Sequence, residues 1–267
     1  MACASILAIA NQKGGVGKTT TAINLGAALA LMGRRVLLVD LDPQANLTSG
    51  LGRKGQAPRG ATYEALMQPD ALRCPVLDTP VAGLHLVPAD RELTGAELEL
   101  VNADEREARL RRLLDPLRDA FDIILVDTPP SLGLLTLNAL VAADALLVPL
   151  NCEYFALEGL ADLLATLRRV RASFNPALDL AGVLLTMHDE RTNLGQQVAR
   201  EIRTHFGERV FDTVIPRNIR LGEAPSHGLP AVLYDPRSRG AQAYTALAQE
   251  LAARTADAVP AGEGDHG

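Results

Sequence analysis

The chain has 267 residues, 48% of them hydrophobic, and a formal net charge of −6, enough to bury a sizeable core as one large domain. Tryptophan is absent and aromatics make up 3%, so that core must be Leu, Val, Ala and Ile, which suits parallel strands covered by helices. The three scattered cysteines, Cys3, Cys74 and Cys152, exclude a disulfide framework or a metal knuckle, and no apolar run is long enough to span a membrane. A soluble, cytoplasmic protein is expected.

Apolar runs alternate with helical patterns through most of the chain. The first strand, residues 6–10, feeds Asn11-Gln12-Lys13-Gly14-Gly15-Val16-Gly17-Lys18-Thr19-Thr20, and a helical pattern follows to about residue 32. A strand, a glycine-rich turn and a helix start, in that order, form a phosphate-binding loop. Glycines let successive N–H groups turn inward, and the helix N-terminus adds partial positive charge. Lys18 is expected at the terminal phosphates and the Thr19 hydroxyl on Mg²⁺. The common spacing G-x-x-x-x-G-K-[ST] asks for glycine at position 12, where Gln12 stands, and a second lysine, Lys13, follows it. Of 26 basic residues only Lys13, Lys18 and Lys54 are lysine. A chain that otherwise uses the wide guanidinium fork keeps the compact ammonium twice in this loop.

The strand at 36–39 runs into Asp40-Leu41-Asp42-Pro43-Gln44, where alternation sends the two carboxylates in opposite directions. A strand at 84–87 follows. The strand at 123–126 ends in Asp127-Thr128-Pro129-Pro130; the carboxylate is suited to hold Mg²⁺ through water, and the prolines force a turn. Further strands are expected at 145–150, 180–186 and 210–215, with helices at 106–120, 134–142, 157–174, 193–206 and 240–251. The predicted class is α/β: a doubly wound, mostly parallel sheet with helices on both faces and ligands at the carboxyl ends of its strands. Residues 1–254 are expected to form a single domain, and the small, polar residues 255–267 a disordered tail.

Residues 13–20, Lys-Gly-Gly-Val-Gly-Lys-Thr-Thr, resemble the deviant Walker A loop of the ParA/MinD family of P-loop ATPases. The resemblance runs from residue 6 to about 251 and is weakest between 55 and 82. It implies ATP and Mg²⁺ as ligands, with Lys13, Gly14, Gly15, Val16, Gly17, Lys18, Thr19 and Thr20 around the nucleotide. In this family the first lysine reaches the phosphates held by a partner subunit, which makes Lys13 catalytic together with Lys18. The position matching Asp42 orients or activates the attacking water. Thr19 and Asp127 are the implied metal residues, with Asp40 in the outer shell. Residues 127–133 resemble the switch that senses the γ-phosphate. Residues 184–194 and 214–228 resemble the chromosome-partitioning branch, the ParA/Soj proteins. On that likeness Pro216 and Asn218 lie against the adenine, and Arg191 and Arg220 contact DNA.

Net charge argues against a nucleic-acid partner, but its distribution does not. Residues 160–240 carry 11 Arg against 9 Asp and Glu, a balance of +2, while the remainder carries 15 basic and 23 acidic residues, a balance of −8. A two-fold dimer doubles such a patch. About six neutralised phosphates would give a log–log salt slope of roughly −5. With no helix-turn-helix in view, binding to double-stranded DNA is expected to be non-specific. Two ammonium groups ~6 Å apart repel by roughly 3 kcal/mol at an effective dielectric of about 20, so Lys13 is expected to swing outward until a facing subunit offers ATP. The reading is a partitioning ATPase that forms a homodimer on ATP, binds the nucleoid without a membrane step, and is released by hydrolysis that a ParB-type partner stimulates. One alternative is a membrane-cycling division-site regulator like MinD, which needs a basic amphipathic C-terminal helix. The helix at 240–251 has no basic residue, and its Tyr244, Leu247, Ala248 and Leu251 stripe reads as core. The other alternative is a metabolic ATP-dependent enzyme on the same scaffold.

Overall fold

The structure, a computed structural model, describes residues 4–153, 156–189 and 192–257. Its strands are β1 (Ser5–Ile9), β2 (Val36–Asp40), β3 (Leu77–Asp78), β4 (Leu84–Val87), β5 (Ile123–Asp127), β6 (Ala145–Asn151) and β7 (Asp179–Thr186). They form one sheet in the order β3-β4-β2-β5-β1-β6-β7, parallel except where β3 runs against β4. The helices in the first half are α1 (Lys18–Leu31), α2 (Asn46–Gly50), α3 (Ala61–Met67), α4 (Leu93–Glu99) and α5 (Arg109–Leu114). Those in the second half are α6 (Leu134–Ala142), α7 (Ala156–Ser173), α8 (Asn193–Phe206), α9 (Ile219–Glu223), α10 (Ala231–Tyr234) and α11 (Arg239–Asp257). This is the doubly wound α/β fold expected from the alternation of patterns.

Both faces of the sheet are covered, and that is why its strands read as unbroken apolar runs. Side chains alternate: Ile6, Ala8, Leu37, Val39, Ile124 and Val126 enter one core. Leu7, Ile9, Val36, Leu38 and Leu125 enter the other. α1 lies in the second core between the sheet and α11, where the Thr21 and Tyr244 hydroxyls meet at 3.0 Å. β1, β2 and β5 end level with one another, Ile9 and Asp40 both pairing with Asp127, so three functional segments leave the sheet at one edge.

Three expectations need correction. Residues 210–215 are not a strand; they make only isolated bridges, Val183 with Val210 and His188 with Pro216. The Glu250 carboxylate takes the N–H groups of Asp212 (2.8 Å) and Thr213 (2.9 Å), donors that a ladder would need. The helix expected over 106–120 is shorter, because Pro116 has no N–H to donate and the chain tightens into a 3₁₀ turn at Asp115–Leu117. The last helix continues past Arg254 to Asp257. Arg254 holds it by donating to the carbonyls of Glu208 (3.0 Å) and Val210 (2.9 Å) while lying over the Phe211 ring. Residues 258–267 lie outside the described residues.

β7 reaches the site through a bulge at Gly182, where its register against β6 shifts. A Cβ on Gly182 would come within 2.8 Å of the Arg209 carbonyl oxygen and 2.8 Å of the Phe211 ring. Backbone cannot yield cheaply there, so Gly182→Ala is expected to lower the urea-unfolding free energy by about 2 kcal/mol.

Candidate active site

The phosphate loop is pinned from several elements. Asn11 donates its amide to the Pro149 carbonyl on β6 (2.8 Å) and accepts the Lys13 N–H (3.0 Å). Thr186, at the end of β7, donates its hydroxyl to the Val16 carbonyl (2.8 Å), and Thr128 donates to that of Ile9 (3.0 Å). Gly15 (φ 72°) and Gly17 (φ 89°) take the left-handed conformation that lets the backbone curl into α1. Val16 is buried beneath the loop.

A cavity of about 620 Å³ opens over this curl. Its walls include Gly14, Gly15, Gly17, Lys18, Thr19 and Thr20, with Asp42 and Gln44 facing them and Pro130 and Met187 at the sides. Lys18 is mostly buried and folds back so that Nζ donates to the Lys13 carbonyl at 3.3 Å. Burial pulls its pKa down, while the nearby Asp127 and Asp42 carboxylates pull it up. Asp42 is buried at the turn after β2 and accepts the Gln44 N–H at 2.9 Å.

Asp127 is fully buried, and neither of its carboxylate oxygens has a hydrogen-bond partner. Burial and the adjacent Asp40 push its pKa well up, with Thr19 and Lys18 pulling the other way. An orphaned buried carboxylate beside a threonine hydroxyl has the chemistry of a group that serves a hydrated cation. Among the described residues no group of three His, Cys, Asp or Glu could hold a metal without further ligands. Mg²⁺ is commonly bound by one or two carboxylates together with substrate phosphates.

Asp40 turns away from the cavity, one layer behind its wall. Its Oδ2 accepts both the hydroxyl (2.6 Å) and the N–H (2.8 Å) of Thr48, and Oδ1 accepts the Asp42 N–H (3.3 Å). It therefore ties α2 to the sheet and is not part of the cavity wall. Burial pushes its pKa up to about 7 against the pull of those hydrogen bonds. A carboxyl raised in this way binds its proton more tightly when folded, so the stability it confers is full below the ordinary value of 3.8 and lost as pH rises to about 7. Nucleotide-free protein is expected to lose urea stability across that window, and Asp40→Asn to flatten the loss.

Lys13 leaves the cavity altogether. Its ammonium pairs with Glu153 Oε2 at 2.5 Å, both side chains being partly exposed, and the pairing holds the Glu153 carboxyl below its ordinary pKa. Pro216 and Asn218 do not line the phosphate cavity either. Pro216 lines a separate cavity of about 570 Å³ with His188 and Arg217, one residue along from Met187. Asn218 caps α9, its Oδ1 accepting the Arg220 N–H at 2.9 Å.

Of the two arginines expected at DNA, Arg191 lies outside the described residues. Arg220 is already neutralised, with Nη1 2.7 Å from Glu223 and Nε 3.3 Å from Asp235, so a phosphate would have to displace carboxylates. Arg217, Arg237 and Arg239, which the sequence did not single out, are exposed and make no ion pair among the described residues. Their signal was the basic excess of residues 160–240, which says that some arginines are free but not which. Glu153 and Thr186 were given no role from the sequence, although Thr186 lies in the 184–194 segment that resembles the partitioning branch.

The AAA domain family matches residues 4–180 of the chain. The chromosome-partitioning ATPase Soj of Thermus thermophilus is 55% identical over 253 residues, 94% of this chain and 97% of that protein. The sporulation initiation inhibitor protein Soj of Bacillus subtilis is 54% identical over 248 residues, 93% and 98% of the two chains. Among solved structures, cobyrinic acid a,c-diamide synthase from Mycobacterium smegmatis with bound ADP and magnesium superposes with a TM-score of 0.83 at 38% identity, covering 96% of this chain and 97% of that one. Identity to the partitioning proteins is well above that to the synthase, over nearly the same span. With a phosphate loop, two carboxylate-bearing strand ends and a second loop lysine in place, the chain belongs to the ParA/Soj family of chromosome-partitioning ATPases.

Proposed function

We propose that this ATPase dimerises on ATP, binds double-stranded DNA without sequence preference, and is released by hydrolysis that a ParB-type partner stimulates. The observation that carries the reading is the opposite disposition of two lysines five residues apart. Lys18 is buried in the phosphate cavity, and Lys13 is outside it on Glu153. Two ammonium groups so close repel, so the loop keeps Lys18 inside and leaves Lys13 to Glu153 at the rim. A lysine kept at the rim is available to a nucleotide on a facing subunit.

In this reading one domain, reaching to the end of α11, works in the cytoplasm on the nucleoid. The loop N–H groups and Lys18 bind the terminal phosphates of ATP, and Asp42 orients the attacking water from the opposite wall. Thr19 and Asp127 hold Mg²⁺, with Asp40 one layer behind. Mg²⁺ supplies neutralising charge to the phosphates when bound. Pro216 and Asn218 are candidates for the adenine end, reached past Met187. For DNA, Arg217, Arg237 and Arg239 join Arg191 and Arg220.

A membrane-cycling role finds no support in α11. Tyr244, Leu247, Ala248 and Leu251 are buried, so the helix has no free apolar face along that stripe. No helix among the described residues is long and apolar enough to cross a membrane. The test is co-sedimentation of the protein with duplex DNA in ATP, in ADP and without nucleotide, paired with its sedimentation coefficient. DNA retention and a dimer in ATP alone are expected. DNA binding that ignores nucleotide, or strong ATP-dependent binding to anionic liposomes, would overturn the reading.

A further inference from the structure

A second cavity, of about 590 Å³, lies behind the Asp42 turn at the carboxyl ends of β2 and β4. Its walls come from the turn after β2, from the connection over residues 53–62, and from residues 88–91. This is the size of a small-molecule site. It shares Gln44 with the phosphate cavity but none of the phosphate loop.

The charges around it are one-sided. Arg53, Lys54, Arg59 and Arg91 stand against a single carboxylate, Asp90. Asp90 is spent on the wall itself, accepting the N–H groups of Gly60 (2.6 Å) and Glu92 (3.0 Å). Arg59 is matched by Glu92, its Nε 2.7 Å from Oε1. The other three are not matched. Arg53 gives Nη1 to Gln56 (2.9 Å), but its Nε is buried with no acceptor, and buried donors of that kind nearly always have a partner. Lys54 and Arg91 are exposed and make no ion pair among the described residues. Lys54 is also the third of the chain's three lysines, the one the phosphate loop does not use.

We propose that this cavity is a second anion site, for a compact organic phosphate or polyphosphate. Guanidinium forks match phosphate oxygens in pairs, and several cations around one cavity favour a multiply charged ligand over a lone carboxylate. The remaining wall includes Ala57, Pro58, Ala61 and Pro88 and no aromatic ring, so a base would find nothing to stack on and a nucleoside is disfavoured. The proposal depends on the cavity and its charges and stands apart from the roles of Lys13 and Asp42.

The test is calorimetric titration of the full chain saturated with Mg²⁺–ADP, which fills the phosphate loop first. Pyrophosphate is titrated in one arm and fructose 1,6-bisphosphate in another, with magnesium in excess. One site per chain is expected for at least one probe; tighter binding of the bisphosphate identifies an ester, tighter binding of pyrophosphate a polyphosphate. Arg53→Gln combined with Arg91→Gln is expected to weaken that binding roughly tenfold or more, with ADP affinity unchanged. Should the double variant fail to fold, exposed Lys54→Gln is expected to give a smaller loss of the same sign. No binding by either probe, undiminished binding by the variants, or citrate binding as tightly as both would overturn the proposal.

Discussion

Lys13→Ala is expected to bind ATP within a few-fold of the parent protein, yet to form no ATP-dependent dimer and to lose hydrolysis by about 100-fold or more. The asymmetry follows from where the side chain sits. In the single subunit its ammonium is on Glu153, so removing it leaves the walls of the phosphate cavity as they were. What is lost is a charge for a facing nucleotide. Moving a protein from mostly monomer to mostly dimer takes only a few kcal/mol of such differential binding. Glu153→Gln supplies the converse. A partly exposed ion pair contributes ~1 kcal/mol at most, so freeing Lys13 should lower the ATP needed for dimerisation by up to about fivefold. Equilibrium sedimentation with an ATP titration measures both. A Lys13→Ala protein that dimerises on ATP and cleaves it normally would sink the shared-site reading.

Asp42→Ala is expected to keep ATP bound but uncleaved, with hydrolysis down by about 10² to 10⁴ and the DNA-bound form persisting. The proposed role on water shares this side chain with a structural one, because Oδ1 also holds the Gln44 N–H and therefore the turn. Losing that bond alone costs about 1 kcal/mol of stability. Asp42→Asn separates the two, keeping an acceptor for Gln44 while removing the charge. If the asparagine variant hydrolyses ATP at the parent rate, Asp42 shapes the turn and does not act on water. If both variants fall equally, the charge is what matters. Single-turnover phosphate release with a parallel filter assay for retained nucleotide distinguishes these outcomes.

The parts of the site legible in the chain were those encoded within one strand and the turn that follows it. The apolar run, the glycines and the Lys18-Thr19 pair specify a strand, a curl and a helix start through local backbone geometry, and the structure follows them. Asp42 and Asp127 could be read as strand-end carboxylates for the same reason. Local patterning failed where a distant side chain competed for backbone donors. The stretch 210–215 has strand-like composition, but Glu250, on a helix nearly forty residues later, takes two of its N–H groups.

What the sequence by itself determined, then, is the fold class, the phosphate loop and the carboxylates around it, since each is set by contiguous residues with a fixed period. Tertiary structure alone decided which partners those groups have. Lys13 meets Glu153 across 140 positions, and Thr186 locks the Val16 carbonyl across 170, because β6 lies beside β1 and β7 beside β6 in the sheet but not in the chain. It decided that Asp40 is claimed by Thr48, and that Arg220 spends its charge on Glu223 and Asp235. Whether a charge is free is a property of what strand order and helix packing bring next to it, and no window along the chain contains that information.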